Sequence, residues 1–523
     1  FIVPLDDKGC WFRLHPLLRE WLLTHLRSLP GNNISIFRQR AMYWFEQNGF
    51  TDEAIEQAFL LADWPSAYRI FCKICDRYFH NNQLDRFESL LERFPSHLIQ
   101  SLPRLAAIKA GAHYNRVQYD QALTYINFVY DSAENFSLKG QYFNGWEKSG
   151  GIGEGDIVVS TQIAKLIQSN IVRFKGDVHR ASKLCHDVKE SISGSNNKLK
   201  CWVYYGLAMD SFISGKIEEC IELSFKAMTL AKEYKDGTCL IGIFNWISEA
   251  LKINGRTRFA LELADENFNW LQEHSMDSLP NICLFYGAYL NLYIETNRLD
   301  KAWEMHYLIE KSIHRNTDYR DITWARYFLH CDLLQTSGQF DEAGRVLDAL
   351  DVYLSSHFDK INLTLFPKVP LVRALLQFQK GDKAPLMQWA KIPPDPNENN
   401  CPIQYMFEEG VYVLALILQG KDVGELLADI RNVSRENGML SITIDTYLVE
   451  AIGLLMRGDV EKSMQVFSEA LSLGASSQYI NLFIGKGVAV EGLLKFALAA
   501  NVESEYCGYL LNEIKVKSDF LTE

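Results

Sequence analysis

Lys175-Gly176-Asp177, Ser214-Gly215-Lys216, Asn254-Gly255-Arg256, Thr296-Asn297-Arg298, Ser337-Gly338-Gln339, Lys380-Gly381-Asp382, Gln419-Gly420-Lys421 and Arg457-Gly458-Asp459 are one kind of turn met again and again along the chain. Their central residues stand 39, 40, 42, 41, 43, 39 and 38 residues apart, and each turn separates two apolar stretches. A short loop that reverses one helix into the next needs a residue with φ > 0. Glycine adopts that conformation without steric cost, and asparagine is its best substitute. Five residues beyond the turn comes a small side chain: Ala181, Cys220, Ala260, Ala302, Ala343 and Ser463. A small residue there lets the two helices of a pair approach closely. Leu386 and Glu425 break the pattern, which marks their repeats as degenerate or differently packed. The unit is therefore a helix, a turn and a second helix, and stacked units of this kind make an all-α solenoid.

The pattern fades toward the N-terminus. Asn48-Gly49-Phe50-Thr51-Asp52-Glu53-Ala54 keeps both turn and spacing, whereas Val117-Gln-Tyr-Asp-Gln-Ala122 keeps the alanine without the glycine. From Ala122 to Ala181 is 59 residues, about half a period too many, and the surplus falls in 132–160 with its six glycines. That stretch reads as an inserted surface loop.

A repeat array also suits the length. At 523 residues the chain exceeds what one compact core fills, roughly 250–300 residues. Only 14 prolines, and few runs alternating with period two, favour helix over sheet. The net charge of −12, without a Lys/Arg cluster, argues against phosphate neutralisation by this segment. No apolar run reaches the roughly 18 residues of a membrane span and no signal peptide opens the chain, so a cytoplasmic location without membrane partners is expected. The chain opens on Phe1 rather than Met, as a fragment of a longer protein would. Cys72 and Cys75 form a single C-x-x-C; lacking a second pair, they read as buried thiols of a cytosolic helix, and no metal is expected.

Helix, Gly turn and Ala in this order resemble the tetratricopeptide repeat (TPR), with a period near 40 instead of about 34. Two further stretches sharpen the resemblance. Phe1-Ile-Val-Pro-Leu-Asp-Asp-Lys-Gly-Cys-Trp-Phe-Arg-Leu-His-Pro-Leu-Leu-Arg-Glu-Trp-Leu22, followed by Arg40-Ala-Met-Tyr-Trp-Phe-Glu-Gln-Asn-Gly-Phe-Thr-Asp-Glu-Ala-Ile-Glu-Gln-Ala58, resembles the end of a winged-helix module and the start of the helical sensor in MalT-like, LuxR-type ATP-dependent regulators. Ala470-Leu-Ser-Leu-Gly-Ala-Ser-Ser-Gln-Tyr-Ile-Asn-Leu-Phe-Ile-Gly-Lys-Gly487 is similar to the last sensor motif of that family, with Asn481 where Arg is usual and Gly485 where Asp is usual. Asp519-Phe-Leu-Thr-Glu523 resembles the opening of a LuxR-type helix-turn-helix.

The resemblance implies 1–28 as the end of a winged-helix module, 29–110 as a helical segment leading in, 111–500 as the TPR-like sensor superhelix, and 501–523 as a linker toward a DNA-binding domain. It further implies an inducer-binding sensor of a STAND-class transcription activator. In such a protein ATP or ADP binds an upstream domain, self-association follows, and DNA is contacted only through the C-terminal domain. This chain has no G-x-x-x-x-G-K-[ST] and calls for no cofactor of its own.

A superhelix of helix pairs exposes the first helix of each repeat on its concave face. Six residues back from each turn stand Asn170, Met209, Glu249, Asn291 and Asp332; ten back stand Leu166, Tyr205, Asn245, Gly287 and Phe328. These positions form neighbouring stripes. Amides, carboxylates and aromatic faces suit a sugar or other polar metabolite, which nominates Asn170, Arg173, Trp202, Tyr205, Asn245, Glu249, Asn291 and Asp332 as ligand contacts. The plainer reading is a polar stripe that faces solvent or ties neighbouring helices. The alternative function is a TPR-like scaffold whose groove takes a peptide or an inhibitory protein. An enzyme would need convergent nucleophile, base and oxyanion donors, and the sequence offers no such set.

Overall fold

The structure, a computed structural model, describes residues 2–4, 12–28, 34–80, 84–116, 118–139, 154–192, 197–313, 320–357, 368–395 and 401–520. Among these residues 27 helices and one two-stranded ribbon form, so the all-α tandem-hairpin expectation holds. The chain divides into two compact units, Phe1–Leu105 with Val129–Val159, and Ala106–Phe128 with Ser160–Glu523.

In the first unit β1 (Ile2–Pro4) pairs antiparallel with β2 (Phe12–Leu14), Ile2 opposite Leu14, and α1 (Pro16–Ser28) follows. Next come α2 (Ile34–Gln47), α3 (Thr51–Leu61), α4 (Trp64–His80), α5 (Leu84–Leu91), α6 (Ser96–Ser101) and the start of α7 (Pro103–Asn115). Gly49, at φ +81°, makes the α2–α3 turn, as its spacing predicts. Phe71 anchors the apolar core, stacked on Phe87 and edge-on to Phe94. Cys72 is half-buried on α4, and the Cys75 side chain lies outside the described residues.

Helix α8 (Tyr119–Lys139) and α9 (Glu154–Phe174) extend into the 132–160 stretch from both sides. Both ends of the expected loop are therefore helical; 140–153, including Gly150, Gly151 and Gly153, lie outside the described residues.

The second unit continues as α10 (Val178–Ser191), α11 (Asn197–Ile213), α12 (Ile217–Glu233), α13 (Gly237–Ile253), α14 (Thr257–Glu273), α15 (Ile282–Glu295), α16 (Leu299–Ile313), α17 (Arg320–Thr336) and α18 (Phe340–His357). Then follow α19 (Val369–Gln379), α20 (Ala384–Trp389), α21 (Pro402–Leu418), α22 (Gly424–Glu436), α23 (Leu440–Met456), α24 (Val460–Ser477), α25 (Asn481–Ile484), α26 (Val488–Ala499) and α27 (Ser504–Phe520).

The eight turn residues all take positive φ, from +51° at Asn297 to +95° at Gly381. Hydrogen bonds close each turn in the same way: at the first, Gly176 N–H donates to Arg173 O and Asp177 N–H to Val172 O. This is the helix-ending motif that glycine favours. The small residues five beyond the turn, Ala181 to Ser463, are all fully buried between paired helices. Leu386 sits on the six-residue α20, and at α22 the buried position moves to Leu427 while Glu425 faces solvent, so the two irregular repeats do pack differently.

First helices pack on first helices, α11 on α13, α13 on α15, α15 on α17 and α21 on α23. The chain then meets itself: α11 also packs on α21, α13 on α23 and α15 on α25, each pair ten helices apart. The hairpin turns of the earlier coil rest on the starts of the later first helices. A Cβ on Gly215 would stand 2.8 Å from the Met439 side chain, and the Asn254 amide donates to Gly438 O at 2.9 Å. The largest apolar core accordingly mixes residues of α11–α15 with residues of α19–α23.

Candidate functional site

The eight nominated residues fall into two groups. The first is held by neighbouring repeats. Arg173, at the end of α9, is 1% exposed and donates from Nε to Asp210 Oδ1 at 2.6 Å and from Nη2 to Asp210 Oδ2 and Gly206 O, both at 3.2 Å. Its Nη1 donates to the Asn170 amide oxygen. Burial works against the guanidinium, but Asp210 more than offsets that and keeps its pKa above the ordinary value; burial likewise pushes the Asp210 carboxyl up against the pull of Arg173. Trp202 Nε1 donates to Asp236 at 3.0 Å, and Asp236 also caps α13 through Cys239 N–H. Tyr205 packs its phenol against Gly242 of α13, where any Cβ would collide with it at 2.9 Å, and burial pushes it up to about 12.

The second group lies on α13, α15 and α17. Asn245 and Asn291 are half-buried, and their side chains make no hydrogen bond among the described residues. Glu249 pairs with Lys252 at 2.8 Å. Burial opposes the Lys252 ammonium, yet Glu249 beside it, with Glu295 of α15 and Asp332 of α17, holds its pKa above the ordinary value. Glu249 thus pairs directly with Lys252, while Asp332, an exposed residue of α17, acts on the same lysine only through its charge.

Several members of this constellation were missed from sequence: Trp246, Lys252, Glu295 and Tyr479. Lys252 stands three residues before its turn, the same place as Arg173, so extending the count one step would have found it. Trp246 follows Asn245, stands near the Tyr205 phenol, and lies edge-on to Phe212 with ring centres 5.2 Å apart. Tyr479, 1% exposed, belongs to the segment between α24 and α25. Its hydroxyl donates to Lys252 O and to Ile253 O, 3.2 Å for the latter, and the Tyr506 hydroxyl of α27 donates to Tyr479 O. Glu295 accepts from Leu482 N–H at 3.2 Å. No local periodicity could have announced contacts across more than 180 residues. Among the described residues no group of His, Cys, Asp and Glu could hold a metal ion, and no helix is long and apolar enough to cross a membrane.

The arrangement offers two amides, three carboxylates and one ammonium near tryptophan and tyrosine rings.

Comparison with known proteins shows a family. The family described as the MalT-like TPR region matches residues 163–500, well over half of the chain. An HTH-type transcriptional regulator MalT from Vibrio parahaemolyticus is 19% identical over 95% of this chain and 53% of its own length. Another from Cronobacter sakazakii is 22% identical over 97% of this chain and 54% of its own. The chain therefore spans about half the length of the curated relatives it matches. Among solved structures, a circular tandem repeat protein covers 93% of the chain at 11% identity and a TM-score of 0.12, too low to bear on the fold.

Proposed function

Because this chain belongs to the family of the MalT-like TPR region, we propose that it is the inducer-sensing part of an ATP-dependent transcription activator and that a small polar metabolite binds its first helices. Asn245 and Glu249 of α13, Asn291 of α15, Asp332 of α17 and Lys252 are the direct contacts. Arg173, Asn170, Trp202 and Tyr205 hold the neighbouring helices in place around them. The observation that carries the reading is the Glu249–Lys252 pair of α13, with the charge of Asp332 of α17 acting on the same lysine and with the half-buried amides Asn245 of α13 and Asn291 of α15, whose side chains make no hydrogen bond among the described residues. Buried polar groups want partners, and a ligand's hydroxyls supply them.

The balance of charge narrows the ligand. Three carboxylates against one ammonium disfavour anions and suit a neutral or amino-bearing polyol, with Trp246 offering a face for its CH surface. Occupancy acts by population shift: the ligand binds the active arrangement of the whole regulator better than the resting one. In a protein as long as the relatives, nucleotide would bind outside this chain. Self-association and DNA contact would follow through parts beyond it.

Thermal unfolding of the chain against sugars, amino sugars, polyols, organic acids and amino acids tests this. A compound at about 100 times its Kd stabilises by roughly 2.7 kcal/mol. The expected hit is a polyol whose shift disappears in Glu249→Ala and Asn245→Ala. A set without any hit overturns the metabolite reading in favour of a protein-binding scaffold.

A further inference from the structure

The side of α15 turned away from Asn291 carries a row of tyrosines. Tyr286, Tyr289 and Tyr293 are spaced three and four residues apart and so share one face. Tyr289 and Tyr293 stand two residues on either side of Asn291, which places the row about 200° around the helix from the stripe proposed for the metabolite. Tyr289 and Tyr293 stack with ring centres 5.6 Å apart, and Phe268 of α14 stands edge-on to Tyr286 at 6.1 Å. Met305 of α16 packs on the same apolar core as Tyr286 and Tyr293. Tyr289 is buried, whereas Tyr286, Tyr293, Phe268 and Met305 are each half-buried.

The row is left uncovered because the second helices on either side of it stand apart. One repeat earlier, α12 and α14 are bridged by Lys232 and Glu266 at 2.7 Å and by the rings of Phe225 and Phe259 at 6.2 Å. No hydrogen bond, ion pair or ring contact joins α14 to α16 among the described residues, and the two helices do not pack on one another. The sequence shows the cause: the connection from α14 to α15 runs over 274–281, where that from α12 to α13 needs only 234–236. The result is a groove with α14 and α16 as walls and the tyrosines of α15 as floor.

We propose that this groove is a docking site for an extended, proline-containing basic segment of a partner protein, two of whose arginine or lysine side chains, three residues apart, lie on the tyrosine faces beside Asp265 and Asp277. Charge selects that occupant. Asp265 accepts the Tyr289 hydroxyl at 2.7 Å, and Asp277 acts through its charge on Tyr286 at the other end of the row. Both carboxylates are exposed, and neither has a cation partner among the described residues. Glu304 of α16 shares Lys301 at 3.9 Å, and Arg298 stands near Tyr293, so the uncompensated charge of the groove is that of Asp265 and Asp277. Tyrosine faces attract a guanidinium or ammonium group, and a neighbouring carboxylate adds to that attraction. Spacing selects the conformation. Seven residues of helix separate Tyr286 from Tyr293 by about 10 Å. A polyproline II segment, with three residues per turn, sets residues i and i+3 on one side about 9 Å apart. The groove lies on the opposite face of α15 from Asn291, so it stands or falls separately from the metabolite reading.

Fluorescence anisotropy of a dye-labelled Arg-Pro-Pro-Arg-Pro-Pro-Arg peptide titrated with the whole chain tests the groove. Saturable binding is expected, and the same peptide with glutamate in place of arginine should not bind. Asp277→Lys changes an exposed residue without disturbing the core and should weaken binding about tenfold; Tyr286→Leu, which keeps apolar bulk but removes the ring, should do the same. Glu425→Lys makes an equal change of charge at a solvent-facing position of α22 and should leave binding intact. Absence of saturable binding overturns the proposal. So does equal weakening by Asp277→Lys and Glu425→Lys, which would mean general attraction to an acidic chain. A dimer of the chain alone, seen by sedimentation and lost in Tyr286→Leu, would give the groove to a second copy and overturn it as well.

Discussion

Arg173 and Asp210 form a closed ion pair between the first helices of adjacent repeats, Nε to Oδ1 at 2.6 Å and Nη2 to Oδ2 at 3.2 Å, with the arginine 1% exposed. The pair is a strut between α9 and α11, and its fork geometry explains why arginine rather than lysine stands there.

Removing one partner should cost far more than removing both. Asp210→Ala strands a buried guanidinium and should destabilise the second unit by about 3–5 kcal/mol, whereas Arg173→Met with Asp210→Leu should regain most of that loss. Urea midpoints of the two variants check it. A single variant no worse than the double would show that the strut carries no net charge burden.

The strut also marks where sequence reasoning stops. The turns were legible because only a few residues tolerate positive φ: all eight central residues adopt it. The stripe of first-helix residues was legible too, since a repeating register fixes which positions align. Whether a stripe residue faces open space or a neighbour's side chain was not legible. Arg173 and Lys252 stand at the same place before their turns, yet Arg173 is enclosed by Asp210 while Lys252 pairs with Glu249 at a half-exposed face. The coil-on-coil seam was wholly illegible, because Tyr479 meets Lys252 O through a return of the chain that no period of about 40 residues encodes.

A second class of left-handed residue was not legible either. Lys235 (φ +52°), Ser275 (φ +56°) and Gln478 (φ +56°) reverse second helices into first ones without being glycine. Lys235→Gly should relieve strain of about 1 kcal/mol, partly offset by unfolded-chain entropy, so stability should rise or hold. Gly255→Ala should do the opposite, since Gly255 sits at φ +89° with Leu440 and Ser477 within 3 Å of where a Cβ would stand. Melting temperatures of the two variants should move apart in that order.

Acid should weaken the α16–α17 pair. His306 and His330 stack with ring centres 4.1 Å apart, and Trp303 stands edge-on to both. Burial pulls both imidazoles below the ordinary 6.5, and His330 beside it helps bring His306 to about 4. A depressed pKa stabilises the fold while the ring is neutral, so this contribution is whole above 6.5 and is lost as pH falls through about 4. His306→Phe keeps the stack and removes the titration. Its urea midpoint should fall less than that of the unsubstituted chain between pH 7 and pH 4.5; parallel curves would refute the assignment.

The glycine of the last sensor motif can be tested through the aromatic ring it admits. Gly474 lies in α24, and a Cβ there would stand 2.5 Å and 2.6 Å from the Phe483 ring, with the Tyr506 hydroxyl at 3.1 Å. Phe483 is fully buried in the same core as Phe467, Leu493 and Leu494, so any retreat of its ring displaces core neighbours. Its neighbour Leu482 is the residue held by Glu295, so any retreat also pulls on the seam. Gly474→Ala should therefore cost about 1–3 kcal/mol by overpacking, although alanine is the better helix former. It should also lower hydrogen-exchange protection across residues 479–487. Adding Phe483→Leu removes the ring that the new methyl meets and should recover part of both losses. A Gly474→Ala chain as stable as the original, with protection unchanged, would mean that α24 and the seam are not packed as tightly as their contacts require.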